Sequence, residues 1–346
     1  MAKYIRNLHI CPSEKFIPSY IEFVRKYFEA DGNHFAIIAG KSESAFFYTP
    51  GTDVRKYTST AQVAQLVYDI WRSDKVIVHG LLDPNVVKLL AAQPWAHKKT
   101  YWVIWGADLY AYARRKRNFR QAANERIKAY LIRRIYGLLT YIPGDVELAR
   151  KWYGATGTHF DCFMYLSNIY RPRSAVRKGS DVINIQLGNS AAPTNNHIEV
   201  LHQLGKYRDE NINILTPLSY GNRLYAENVI NVGKRIFGEK FVAITDFMSG
   251  NDYSDFLGSI DIAIFNHDRQ QAMGNTITLL GMGKTVFMRR DITPWQLFSS
   301  LGITLGDVEY FELKKFRPEV TEENSRRIAA YFSEERLVDQ YARILR

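Results

Sequence analysis

The sequence predicts an α/β protein of two domains, each with a mostly parallel sheet that helices cover on both faces. Short apolar runs alternate with longer amphipathic stretches almost throughout, which is the pattern of repeated βα units. The length, 346 residues, exceeds what one hydrophobic core usually holds. The alternation stops once, at a polar and basic segment with Pro and Gly (171–181), and then starts again. We interpret that segment as the interdomain linker.

The strands of the first half are predicted from apolar runs, and the stretches between them have helical spacing, as at Tyr20, Phe23, Val24, Tyr27 and Phe28. We place these strands at Tyr4–Cys11, Phe35–Ala39, Lys75–Val78, Tyr101–Trp105 and Leu138–Ile142. Those of the second half are Val182–Leu187, Asn213–Leu215, Phe241–Ile244, Ile260–Phe265 and Thr285–Met288. The predicted domains span 1–170 and 182–320, and a final helix at 321–346 is a candidate to pack back onto the first.

The composition indicates which classes of partner the protein can bind. Forty-six Lys and Arg against 35 Asp and Glu give a net charge of +11, so we expect an anionic partner: nucleic acid, an acidic membrane or a phosphorylated substrate. The cysteines, Cys11 and Cys162, have no metal-ligand spacing. No secretory signal is visible at the amino terminus, and no stretch approaches the ~18 apolar residues of a spanning helix. We therefore expect a cytoplasmic protein, soluble or peripheral on a membrane.

Two tandem domains of this kind place the carboxyl ends of their strands at a shared cleft, where open α/β sheets bind ligands. GT-B glycosyltransferases, some epimerases and periplasmic binding proteins all have this architecture. Function therefore has to be argued from the residues at the strand ends.

Two runs in the second half are candidates for anion binding. Gly188, Asn189 and Ser190 directly follow a strand, and small residues before a helix N-terminus suit a phosphate. A plain βα turn with Asn or Ser capping is the alternative. Asn195 adds a side-chain donor to the same rim. Tyr220 and Tyr225, near the end of the next strand, are candidates to contact a nucleoside.

The strongest run is Phe265–Thr276, which leaves an apolar strand and enters a helix. Its polar donors and helix N-terminus converge where a diphosphate and sugar hydroxyls could be bound. The candidate residues are Arg269, Gln270, Gln271, Gly274 and Thr276. A solvated loop is the alternative, and it would seldom combine this many donors with a buried strand.

The first half offers candidates for a general base. Asp108 follows the apolar strand YWVIW, and a carboxylate there could accept a proton from an acceptor hydroxyl. His79 at another strand end is the second candidate, and His9 the weakest. The alternatives are a helix-capping Asp and satisfied core histidines. If the reaction inverts the anomeric centre, one base is needed; if it retains configuration, the departing phosphate can take the proton.

A basic, partly amphipathic helix is predicted at 111–137, and it is a candidate membrane surface for an anionic leaflet. An RNA-binding face is the competing interpretation, and a merely solvated face is a third. The residues assigned to the membrane or a lipid diphosphate are Arg114, Arg115, Lys116, Arg117 and Arg120. The sequence has no Asp-x-Asp pair and no Walker A pattern, so we predict neither a metal nor a cofactor.

Several of these runs together resemble one family. They are Trp105–Tyr110 (WGADLY), Gly188–Ser190 (GNS), Asn195–Ile198 (N-x-H-I), Pro217–Tyr220, Arg269–Gly274 (RQQ-x-x-G) and Pro294-Trp295, in family order. The chain resembles the bacterial transferases of 4-acetamido-4,6-dideoxygalactose (Fuc4NAc) in enterobacterial common antigen synthesis, also called 4-alpha-L-fucosyltransferases.

This resemblance implies a GT-B fold, a dTDP-linked dideoxy-amino sugar donor and a polyprenyl-diphosphate-linked glycan acceptor. We further expect the protein to act on the cytoplasmic face of the inner membrane, with no nucleic acid as partner. Two other functions stay open: a nucleotide-sugar epimerase of the same fold, and a non-catalytic protein that binds RNA or membranes.

Overall fold

The computed structural model describes residues 5–28, 32–38, 50–59, 62–113, 118–172 and 181–346. The chain forms two compact units, residues 1–169 together with 334–346, and residues 170–333. The predicted linker, 171–181, falls just after this boundary, and its residues 173–180 lie outside the described ranges.

The first unit contains a seven-stranded parallel sheet in the order β3-β2-β1-β4-β5-β6-β7. Its strands are β1 Ile5–Pro12, β2 Asn33–Ile38, β3 Val54–Tyr57, β4 Ser73–His79, β5 Thr100–Val103, β6 Gly137–Leu139 and β7 Thr158–Phe160. Its helices are α1 Ile17–Phe28, α2 Val63–Arg72, α3 Pro84–Ala91, α4 Gly106–Leu109, α5 Phe119–Ile132 and α6 Pro143–Tyr153. The central strands are continuous apolar runs because both faces of a parallel sheet are buried. Trp102 of β5 and Leu138 of β6 are fully buried.

The second unit contains a six-stranded parallel sheet in the order β10-β9-β8-β11-β12-β13. Its strands are β8 Ile183–Leu187, β9 Ile212–Pro217, β10 Phe241–Ile244, β11 Ile262–Phe265, β12 Thr285–Met288 and β13 Gly306–Asp307. Its helices are α7 His197–Leu204, α8 Arg223–Phe237, α9 Gly250–Ser259, α10 Met273–Gly281, α11 Thr293–Ser300 and α12 Pro318–Tyr331. The prediction of α/β architecture with two parallel sheets is confirmed.

The C-terminal region corrects one prediction. We expected a single helix at 321–346, but the structure has α12 in the second unit and a separate helix α13, Glu334–Leu345, in the first. The chain turns at Phe332, which is fully buried beside Phe298. Acidic residues then begin α13, where the helix dipole favours them. On α13, Tyr341 is fully buried and its ring lies 5.9 Å from that of Tyr20.

Three strands were missing from the prediction: β3, β7 and β13. Each lies at an outer edge of its sheet, and each is short. Their sequences, VRKY, THF and GD, carry few apolar residues because an edge strand buries less surface than a central one. Among the described residues, no helix is long and apolar enough to cross a membrane.

Candidate functional site

The second sheet has a topological switch point between β8 and β11. The chain leaves β8 toward β9 on one side and leaves β11 toward β12 on the other. Helices after such strands cover opposite faces of the sheet, which leaves a crevice at the carboxyl edge. The segments that follow β8 and β11 are Gly188–Ser190 and Asn266–Ala272. The structure therefore brings together the two runs that the sequence singled out separately.

Gly188 begins the loop after β8 in a left-handed conformation, with φ +64°. A Cβ at this position would lie 2.3 Å from His197 Nε2 and 2.7 Å from Asn195 Oδ1. The Gly188 amide donates to the carbonyl of Ile264 at 3.0 Å, which joins the end of β8 to β11. Both the backbone angle and the close approach therefore require glycine.

Asn195 joins the two loops. It is fully buried, and its Oδ1 accepts bonds from the Asn189 amide at 3.0 Å and from His267 Nε2 at 2.9 Å. Its Nδ2 donates to the Ala192 carbonyl at 3.0 Å. Because Asn189 follows β8 and His267 follows β11, one side chain fixes the spacing across the switch point.

A second chain of hydrogen bonds lies nearer the surface. Thr194 Oγ1 donates to Gln271 Oε1 at 2.7 Å, and Gln271 Nε2 donates to Asn189 Oδ1 at 2.9 Å. Asn189 Nδ2 donates to the hydroxyl of Tyr220 at 3.0 Å. Tyr220, 46% exposed, offers its ring at the rim. This chain orients the amide of Asn189 and that of Gln271.

The N-terminus of α10 points into the same loop region and lacks a side-chain cap. The preceding residue, Ala272, has φ +55° and no side-chain oxygen, and the first turn contains no acidic residue. Gly274 lies in that turn and has no side chain to cover the backbone there. The helix end carries a partial positive charge, and uncapped amides there favour an anion.

Arg269 adds a full positive charge beside this helix end. Its Nη1 donates to the carbonyl of Gln270 at 3.0 Å. Burial lowers the pKa of His267 to about 3, and the guanidinium of Arg269 contributes to that shift. Two independent sources of positive potential therefore act on one small region.

Several buried polar atoms near this edge have no hydrogen-bond partner among the described residues. In the second unit they are Gln186 Oε1, His197 Nε2, Thr216 Oγ1, Asn266 Nδ2 and Gln270 Oε1. They lie at or next to the carboxyl ends of β8, β9 and β11. Native proteins seldom leave such groups unsatisfied, so this concentration makes the edge a candidate place for ordered water or a polar ligand.

Two predicted residues have supporting positions. The hydroxyl of Tyr225 accepts from the His197 amide at 3.1 Å, so Tyr225 stabilises the start of α7. Thr276 is 1% exposed and donates to the Ala272 carbonyl at 3.1 Å, so it lies on the buried side of α10.

The geometry does not support Asp108 as a general base. Its carboxyl is fully buried and accepts from the Leu81 amide and from Trp102 Nε1, both at 2.7 Å. It also accepts from the amides of Trp105 at 2.9 Å and Leu109 at 2.7 Å. Burial raises its pKa to about 6. Because protein donors occupy both oxygens, Asp108 organises the loops after β4 and β5 and caps α4.

His79 likewise lies in the core. It is 1% exposed, its Nδ1 lies 2.8 Å from the Tyr165 hydroxyl, and its Nε2 lies 3.4 Å from His9 Nδ1. His9 is fully buried and also contacts Tyr20 and Asn33. Burial holds the pKa of His79 well below its usual range. Both histidines match the alternative of satisfied core residues.

The buried histidines predict a pH dependence of stability. Burial lowers the pKa of His9 and His197 to about 4, and that of His267 to about 3. Below pH 6.5 the unfolded chain binds protons that the folded chain does not, so stability falls as pH falls from about 6.5 toward 4. Each histidine contributes about 1.4 kcal/mol per pH unit over this window. Urea unfolding at several pH values measures the slope, which His9→Gln should reduce; an unchanged slope would contradict the assignment.

The predicted basic surface is only partly described. Arg114, Arg115, Lys116 and Arg117 lie outside the described residues, whereas Arg120 is exposed in the first turn of α5. The predicted helix at 111–137 is shorter in the structure, where α5 is Phe119–Ile132. Lys128 points inward: it is 5% exposed and donates to the Asp108 carbonyl at 2.8 Å.

Comparison with known structures shows the fold. The Anabaena protein HepE, in complex with UDP and glucose, superposes with a TM-score of 0.70 at 13% identity over 99% of each chain. A glycosyltransferase from Rickettsia africae gives 0.63 at 14% identity, over 100% of this chain and 98% of that one. WaaG, a glycosyltransferase of lipopolysaccharide biosynthesis, gives 0.57 at 11% identity, over 98% and 94%. These likenesses confirm the predicted GT-B fold.

The family follows from the sequence itself. The family model described as 4-alpha-L-fucosyltransferase, glycosyl transferase group 56, matches residues 20–331. That range includes every candidate residue discussed above except His9. It covers both units, so the match extends well beyond the GNS and RQQ runs. The chain belongs to the 4-alpha-L-fucosyltransferases of glycosyltransferase group 56, and it is a glycosyltransferase of the GT-B fold.

Proposed function

We propose that this glycosyltransferase takes its sugar from a nucleoside diphosphate that binds at the switch point of the second unit. The observation that supports this most strongly is the uncapped N-terminus of α10 beside Arg269. The amides of the first turn and the guanidinium would share the charge of the diphosphate. That charge grows as the sugar leaves, so the same groups stabilise the transition state without a metal.

The remaining residues would contact different parts of the donor. Ser190 would contact the phosphate through its amide or hydroxyl, whereas Gly188, whose amide bonds the Ile264 carbonyl, would act by holding the loop close to the switch point. Tyr220, joined to Asn189, would stack on or bind the nucleoside. HepE, whose fold is similar, was crystallised with UDP and with UDP-glucose, which supports a nucleotide-sugar donor here.

For the identity of the donor we rely on the family resemblance. It favours a dTDP-linked Fuc4NAc-like sugar, transferred to a polyprenyl-diphosphate-linked glycan of cell-surface polysaccharide synthesis. The fucosyltransferase description of the family is consistent with transfer of a deoxyhexose. In this proposal the donor is a substrate and no further cofactor takes part.

Calorimetric titration with dTDP, UDP and GDP tests the donor site. We expect selective binding of dTDP, weakened about tenfold to a hundredfold in Arg269→Ala because a charge-assisted hydrogen bond is lost. Arg208→Ala is the control, since Arg208 is an exposed arginine of the same unit that lies near Asp209. Preference for UDP or GDP would exclude the donor that the family resemblance favours. Absence of binding at millimolar ligand would exclude the donor site.

We further propose that the start of α5 contacts the membrane that carries the acceptor. Phe119 is 87% exposed, next to the exposed Arg120, and Tyr112, earlier in the chain, is 42% exposed. An exposed aromatic ring beside basic residues suits an anionic lipid surface. The basic residues at 114–117 would add to the same attraction.

Co-sedimentation with vesicles tests the membrane proposal. We expect binding to phosphatidylglycerol vesicles but not to phosphatidylcholine alone, and a severalfold loss in Phe119→Ser with Arg120→Ser. The matched control is Arg223→Ser with Leu224→Ser at the start of α8, where Leu224 is 76% exposed. Equal loss in both double variants would contradict a specific membrane surface. Salt-sensitive binding of RNA in place of vesicles would favour the RNA alternative.

A further inference from the structure

A cavity of about 620 Å³ lies beside the candidate site, within the second unit. It opens at the carboxyl ends of β11, β12 and β13 and is bordered by α7. Its lining is formed by Glu199, Gln203, Asn266, Arg289–Asp291 and Asp307–Tyr310. The volume lies within the usual range for small-molecule sites. Asn266, which directly follows β11, belongs both to this cavity and to the loop that carries Arg269.

The charges of this cavity are unlike those at the N-terminus of α10. Arg289 binds Asp291 through two bonds of 2.9 and 2.6 Å, and Glu199 adds a further negative charge near it. Arg290 lies 3.8 Å from the carboxylate of Asp307. With Glu309, the lining has four carboxylates against two guanidiniums. This excess of negative charge disfavours a phosphate and favours an uncharged or amine-bearing polar ligand.

Two further features indicate what kind of polar ligand fits. Tyr310 is 70% exposed and offers an aromatic face at the cavity. Asn266 is 2% exposed, and its Nδ2 has no hydrogen-bond partner among the described residues. That nitrogen has almost no accessible surface, so a ligand in the cavity would contact the rest of the Asn266 side chain, which lines it. By contrast, the amide of Gln203 is already engaged with the Val308 carbonyl at 2.7 Å.

We propose that this cavity binds an uncharged sugar ring of the transfer reaction. The apolar face of the ring would pack on Tyr310, its hydroxyls would donate to the carboxylates, and a further ring substituent would contact the side chain of Asn266 at the wall of the cavity. The proposal rests on the proposed function, because it assigns the diphosphate to α10 and the neutral sugar to the neighbouring cavity. Either the glycosyl group of the donor or a sugar of the acceptor has this chemistry.

The test compares Tyr310→Ala and Asn266→Ala with Tyr310→Phe, which keeps the aromatic face. Calorimetry gives the dissociation constants of UDP, UDP-glucose, dTDP and dTDP-glucose for each variant. Saturation-transfer NMR measures binding of methyl glycosides of glucose, galactose, mannose and N-acetylglucosamine in the presence of the nucleoside diphosphate. Thermal unfolding controls for the fold, and Asn266→Ala should not lower the Tm because the lost donor has no protein partner among the described residues.

If the donor sugar occupies the cavity, Tyr310→Ala weakens binding of the nucleotide sugar by about threefold to tenfold. It leaves the dissociation constant of the nucleoside diphosphate unchanged. If an acceptor sugar occupies the cavity, both alanine variants keep the wild-type dissociation constants for the nucleotides and nucleotide sugars. The saccharide signals in the NMR experiment disappear in both. Tyr310→Phe should behave as wild type in both cases. The proposal would be overturned if the alanine variants bind the diphosphate, keep the wild-type dissociation constants for the nucleotide sugars and keep the saccharide signals. Failure of the wild type to bind any diphosphate would instead overturn the proposed function.

Discussion

Gly188→Ala is expected to weaken nucleoside-diphosphate binding by at least about tenfold and to destabilise the fold by about 3 kcal/mol. The new methyl group would lie 2.3 Å from His197 Nε2 and 2.7 Å from Asn195 Oδ1. Those side chains cannot move without breaking the contacts that hold the loop after β8. The left-handed backbone adds about 1 kcal/mol of strain. Calorimetry and urea unfolding measure the two effects.

Gly283→Ala is the matched control for that variant. Gly283 also has a left-handed backbone, φ +70°, but the nearest atom to its Cβ position would be 3.8 Å away. Gly283→Ala should therefore lower the free energy of unfolding only by the backbone strain and leave ligand affinity unchanged. An equal loss of ligand affinity in both variants would show that the close approach at Gly188 has no role in binding.

Asn195→Ala is expected to abolish measurable donor binding at micromolar concentrations of ligand. It would leave two buried donors, the Asn189 amide and His267 Nε2, without an acceptor. Each unsatisfied donor costs about 1–3 kcal/mol, and the loops after β8 and β11 would lose the bond that fixes their spacing. We expect a drop in Tm together with the loss of affinity.

Asn324→Ala separates the loss of stability from the loss of the site. Asn324 is also a buried amide of the second unit, and it binds both the amide and the carbonyl of Thr304 at 2.8 Å. Its removal should lower the Tm to a similar extent but keep nucleotide affinity. If Asn195→Ala lowered the Tm and kept full affinity, the joining role of Asn195 would be wrong.

The sequence predicted the central strands well because they are continuous apolar runs. β10 and β12 match their predicted ranges, and the order of strands and helices follows from the βα alternation. The edge strands were missed because VRKY, THF and GD lack an apolar pattern. The division of the C-terminus into α12 and α13 depends on the tertiary burial of Phe332, which no local pattern reports.

The candidate site was predictable in its segments but not in its contacts. A parallel sheet brings the carboxyl ends of its strands to one edge, so the βα alternation alone assigns the GNS and RQQ runs to the same edge. The joining role of Asn195 and the inward position of Thr276 depend on loop geometry that sequence spacing does not determine. The role of Asp108 could not be predicted from its position, because a carboxylate after a strand suits both a general base and a helix cap. The four protein donors that it accepts from in the structure identify it as a cap.

A crystal structure of the protein with the nucleoside diphosphate that it binds most tightly tests the donor site most directly. We expect phosphate oxygens within hydrogen-bond distance of the first-turn amides of α10, with Arg269 in contact and the base near Tyr220. A diphosphate bound at another place in the molecule, with the N-terminus of α10 unchanged, would contradict the proposed donor site.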